Sequence, residues 1–158
     1  MTEGYLQVLI ESLEKKDDLL DKILELDQKQ FKLLTESPAN MEAIDESMDV
    51  KGKYIEELEK LDDGFATTFE IIRDEVKNNP SSYSEYVKRL QELIRSTVDK
   101  SVSVNVLEKR NKSAVDIVFQ RKRTEIRQVK KSSAVASRYY KEMSRIDNIN
   151  PQLMDRKK

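Results

Sequence analysis

Five carboxylates crowd one short stretch of the chain: Glu56, Glu57, Glu59, Asp62 and Asp63. Carboxylates three or four residues apart share a helix face. Grouped oxygens of this kind hold metal in helical di-iron bundles, which also need Glu-x-x-His pairs from neighbouring helices. The chain has no histidine to offer, so metal binding is not expected and the cluster reads as a solvated face. It has no cysteine either, which removes thiolate nucleophiles, disulfides and thiolate metal sites. The commonest general base is missing with the histidines. No nucleophile–base–orienter set, phosphate-cradling glycine loop or dinucleotide fingerprint is present. The sequence reads as a non-enzyme with no cofactor.

Binding chemistry is better represented. Val115, Val118, Phe119, Ile126 and Val129 fall within one broad helical face, and Tyr139, Tyr140 and Met143 follow. Such a face can receive a partner helix, or it can pack on the chain's other helices or on a second copy. Paired tyrosines, with apolar bodies and polar tips, suit a surface that docks and releases. The bland alternative has Tyr139 covering a core and Tyr140 solvated. Around these residues, Lys109 to Arg145 hold 12 Lys and Arg against Asp116, Glu125 and Glu142. A basic run raises nucleic acid or an anionic membrane as partners. No nucleic-acid-binding motif accompanies it and its aromatics are not interleaved for stacking, so nucleic acid is not expected.

These residues need elements to position them. The 158 residues include only three glycines and three prolines, and 37% are charged. Few turn formers imply few turns and long helices, and the expectation is an all-α, elongated antiparallel bundle of three long helices with coiled-coil-like packing in one domain. Helix 1 is expected over about 2–36, with Leu6, Leu9, Leu13, Leu20, Leu24, Phe31 and Leu34 on one face. Pro38 breaks it and suits the first turn of helix 2, over about 40–78. There Met41, Ile44, Met48, Ile55, Leu58, Phe65, Phe69, Ile72 and Val76 follow a 3-4 rhythm whose missing beats fall on Lys51 and Asp62. Gly64 within it allows close helix approach or a bend. Asn79 and Pro80 are expected to cap and open helix 3, over about 80–148, with Asn150-Pro151 as its stop.

One stretch of helix 3 resists an easy reading. Ser101 to Val106 alternates polar and β-branched residues as a half-buried strand does. The same residues continue a helical series from Tyr83, Val87, Leu90 and Ile94 through Thr97, Ser101 and Val104. A lone strand would have no partner, so helix is expected, weak in propensity. Beyond it the expected face is Val115, Val118, Glu125 and Val129, with Phe119 and Ile126 offset. Charge divides along the chain: residues 1–79 hold 10 Lys and Arg against 21 Asp and Glu, and residues 80–158 hold 19 against 9. The halves can neutralise each other, or the basic one can await an acidic partner. The N-terminus lacks the pattern of a signal peptide and no run approaches a membrane span, so a soluble cytoplasmic protein without membrane insertion is expected.

"KGKYIEELEKLDDGF" (Lys51 to Phe65), "LQELIRSTVDKSVSVNVLEKRNKSAVD" (Leu90 to Asp116), "RYYKEM" (Arg138 to Met143) and "MDRKK" (Met154 to Lys158) together resemble the FlgN family of flagellar export chaperones, in the form found in clostridia-like bacteria. The resemblance covers nearly the whole chain in order. It implies an all-helical, non-enzymatic protein that binds the C-terminal helices of the hook–filament junction proteins, prevents their premature polymerisation and delivers them to the export gate. It also implies that the C-terminal part binds cargo. The basic, tyrosine-containing C-terminal region and acidic first half are features of this chain that need not match distant members. The alternative is a self-associating coiled-coil structural or adaptor protein, a homo-oligomer without export cargo.

Overall fold

The computed structural model describes residues 1–147, with side chains described as far as Lys141. Three helices account for the described residues, with no strand among them: α1 (Thr2–Thr35), α2 (Met41–Asn78) and α3 (Ser84–Asp147). The fold class is all-α. The chain divides into two compact units, Met1–Ala114 and Val115–Lys158, and α3 belongs to both.

The helix ends differ from expectation where local hydrogen bonding wins. Asn40 is the N-cap of α2, its side chain accepting from the Ala43 amide at 3.1 Å, as Asn does well. Pro38 therefore lies in the connection, not in the first turn of α2. Asn79 closes α2 instead of opening α3: its amide donates to Glu75 O, and its side chain does so at 3.0 Å. Residues 80–83 then form a turn, closed by Ser82 N to Asn79 O at 3.1 Å, and α3 starts at Ser84. The segment Lys100 to Lys112 is helical throughout. Thr97 is buried and Val104 half-buried, whereas Val102 and Val106 face outward, so the helical phase explains the alternation.

In the first unit the leucines of α1 do what their spacing requires. Leu6, Leu9, Ile10 and Leu13 form a core with Ile72 of α2 and Leu90 and Leu93 of α3. Lys16 meets Asp62, and Gln30 meets Ser47, so α1 and α2 run antiparallel. Asp17 meets Ser96 and Lys100, and Asp27 meets Asn111, so α1 and α3 run parallel. Met48, Ile55 and Phe69, placed on the core rhythm of α2, are more exposed than that rhythm implies. The buried residues of α2 are Ile44, Ser47, Lys51 and Ile72, and of these only Ser47 stands off that rhythm.

The second unit is described through one element, the continuation of α3. Its residues from Phe119 to Lys141 are exposed, apart from the half-buried Lys122, Ser133, Ala136 and Ser137.

Candidate functional site: a four-three seam on the third helix

Lys51, one of the missing beats of α2, occupies a core position after all. Its ammonium lies 2.7 Å from Asp27 Oδ1, 2.9 Å from Glu108 Oε1 and donates to Gln30 Oε1 at 2.7 Å. Gln30 Nε2 donates to Ser47 Oγ at 3.0 Å, and Asn111 Nδ2 donates to Gln30 Oε1 and to the Asp27 carbonyl. Arg110 stacks its guanidinium 3.8 Å above the Phe31 ring. One ammonium thus faces two carboxylates inside the bundle. Burial pushes the Asp27 carboxyl up to about 6; Lys51 opposes the shift and the neighbouring Glu108 reinforces it. Nearer solvent, partial burial opposes ionisation of Asp17, but hydrogen bonds from Lys100 and Ser96 outweigh it and hold the carboxyl below its usual value. Lys100 is raised by its bonds to Asp17 and Asp21. These groups tie three helices in one register.

The carboxylates Glu56, Glu57, Glu59, Asp62 and Asp63 do not converge. Asp62 pairs with Lys16 at 2.7 Å, and among the described residues no group of three or more carboxylates is placed to share an ion. Gly64 lies on an open groove of about 230 Å³ between α1 and α2, lined also by Val8, Ser12, Leu61 and Phe65. A Cβ there would meet nothing within 4 Å, so close helix approach does not explain this glycine.

The candidate binding residues separate into three groups. Val118 is 4% exposed and is withdrawn from the candidate surface: a side chain already buried has no area left to give a partner. Val115 is half-buried. Phe119, Ile126 and Val129 stand 44, 54 and 62% exposed, and Tyr139 and Tyr140 are exposed too, their rings edge to face at 6.0 Å. Met143 lies in α3, but its side chain is outside the described residues.

The spacing along this segment gives a phase different from the expected one. Val115, Phe119, Lys122, Ile126, Val129, Ser133, Ala136 and Tyr140 alternate four and three residues apart over the whole of this segment. That is the rhythm of a coiled-coil seam. Phe119 and Ile126 therefore sit on the seam and Val118 beside it, the reverse of the expected arrangement. Ser132, Ser133 and Ala136 leave a shallow depression beside Val129, and a second one is lined by Val135, Tyr139 and Tyr140. Ile117 and Val135, exposed off the four-three line, carry no periodic signal, being isolated apolar residues among charges.

Apolar side chains in four-three order can each enter a hole between four residues of a facing helix. Among the described residues no helix is long and apolar enough to cross a membrane. No family model, curated protein or solved structure matches the chain.

Proposed function

We propose that this protein is a cytoplasmic flagellar export chaperone that binds the C-terminal helices of hook–filament junction proteins through the seam of α3. It holds those helices apart until delivery to the export gate. The observation that carries the reading is the seam itself: eight positions in four-three order, with Phe119, Ile126 and Val129 left exposed. The resemblance of the chain to FlgN-type chaperones supplies the identity of the cargo. Burying the three side chains would contribute about 1.5–3 kcal/mol each before ordering costs, enough for a complex that forms and later dissociates. Nothing in this mechanism needs a catalytic group or a cofactor. The three helices pack in a coiled-coil-like manner in this reading, in keeping with the burial of Ile44, Lys51 and Ile72 on the heptad spacing of α2.

Calorimetric titration with the C-terminal segments of the junction proteins tests it, using the full chain and the double variant Phe119→Asp, Ile126→Asp. Saturable binding that the variant loses supports the reading. Absence of binding to the folded parent chain overturns it.

A self-associating adaptor is the second reading, and a separate observation favours it. Ile94, Val98, Val102 and Val106 are all exposed at every fourth position of α3, a row that a second copy could cover. Sedimentation across a hundredfold concentration range distinguishes the two. A dimer at every concentration, dissolved by Val98→Asp, supports the adaptor.

A further inference from the structure

The flanks of the seam differ in charge. With Phe119, Ile126, Ser133 and Tyr140 at one core position of the heptad and Val115, Lys122, Val129 and Ala136 at the other, each flank is a row of residues seven apart. One row is Asp116, Arg123, Lys130 and Ser137; the other is Val118, Glu125, Ser132 and Tyr139. The first carries the cations nearest the middle of the seam and is continued outward by Arg127 and Lys131. Arg123, Arg127, Lys130 and Lys131 are all exposed. The second row carries a carboxylate, a hydroxyl and a phenol, with Arg121 as the cation on its outer side. Within the seam itself stands Lys122, half-buried, its ammonium 3.6 Å from Glu125.

This arrangement bears on what can lie in the seam. A second copy docked antiparallel would set the Arg123 and Lys130 row against itself; docked parallel and in register it would face Lys122 with its twin inside the seam, offset only by a Glu125–Lys130 pair on each flank. Like charges at such positions oppose pairing and set partner choice. An amphipathic helix lying on an anionic membrane has its cations on both flanks of the apolar face, and here one flank carries Glu125 where the other has Arg123 and Lys130.

We infer that the occupant of this seam is a different chain: an amphipathic helix with a carboxylate opposite Lys122 and an acidic edge facing Arg123 and Lys130. The inference rests on the docking reading above and adds the chemistry of the partner. The asymmetry also fixes direction, because a helix with one acidic edge meets the basic row in only one of its two orientations. Exposed rim pairs of this kind each contribute modestly, so about a tenfold preference for the acidic partner is expected at low salt, fading as the ionic strength screens it.

The test uses two synthetic peptides of about three heptads with the same leucine and isoleucine seam apart from one position opposite Lys122, one with glutamate and one with lysine at that position and on its flanks. Each is titrated into the full chain, into the triple variant Lys122→Glu, Arg123→Glu, Lys130→Glu, and into the single variant Lys130→Glu in case the triple one folds poorly. The expected result is tighter binding of the glutamate peptide to the parent chain, reduced by Lys130→Glu and inverted in the triple variant. Equal binding of both peptides, unchanged by the substitutions, overturns the charge assignment while leaving the docking reading in place. If neither peptide nor any junction segment binds, both fall. Phosphatidylserine vesicles provide the other arm: capture of the chain by vesicles, lost in the triple variant and with no peptide binding, overturns the inference in favour of a membrane.

Discussion

The two ends of α3 are made of similar residues and treated differently. Near its start, Leu90 and Leu93 are buried in a core shared with α1 and α2. Beyond Ala114, Phe119, Ile126 and Val129 keep a helical seam and stand 44, 54 and 62% exposed. The periodicity is the same kind in both. Hydrophobic spacing therefore specifies that a face exists, and it does not specify what covers it.

Substitutions can break this comparison, and the largest effect should come from the polar junction within the first unit. Lys51→Met removes the ammonium that pairs with both Asp27 and Glu108. Breaking a buried ion pair from one side typically costs about 3–5 kcal/mol, and urea unfolding should show it. A cost below about 1 kcal/mol would mean the carboxylates are satisfied by water. Next comes Leu93→Ala, expected to cost about 2–5 kcal/mol as a buried leucine, against less than about 0.5 kcal/mol for Ile126→Ala on the same helix. Equal costs would erase the distinction between the covered and uncovered stretches.

Proton linkage gives a smaller, signed effect. Asp27 has its folded pKa raised from 3.8 to about 6, so the folded state holds a proton that the unfolded chain gives up. The stability from protonated Asp27 is full below about pH 4 and is lost as pH rises through 6. Asp17, held below its usual value, acts the opposite way and loses its contribution as pH falls. The readout is therefore a difference: the stability of the parent chain relative to Asp27→Asn should decline between pH 4 and pH 7, by up to a few kcal/mol. A flat difference would show that Asp27 is ionised alongside Lys51 at every pH. The smallest effect belongs to Gly64→Ala, which should stabilise α2 by up to about 1 kcal/mol because a Cβ meets nothing there.

Much of the fold was legible in residue spacing. The leucines of α1 and the phase through Thr97 and Val104 pointed to the helices and faces that form. The start of α3 was misplaced because Asn79 can cap either neighbour, and its bonds to Glu75 decide the matter. The role of Lys51 was half-legible: its position on the core rhythm could be seen, but its partners Asp27 and Glu108 come from other helices and carry no local signal. At the seam, the candidate residues were visible and their phase was ambiguous. Val118 drew the expected face to one side; the four-three spacing of Phe119 and Ile126 is present in the sequence, and the burial of Val118 sets it apart from their exposed surface.

Amide hydrogen exchange along α3, with and without the C-terminal segment of a junction protein, tests the central claim most directly. The account predicts slow exchange around Leu90 and Leu93 in both states, and faster exchange over 119–141 that slows when the segment is added. Protection that appears only in the groove between α1 and α2, or unchanged exchange over 119–141 despite saturating segment, would contradict it.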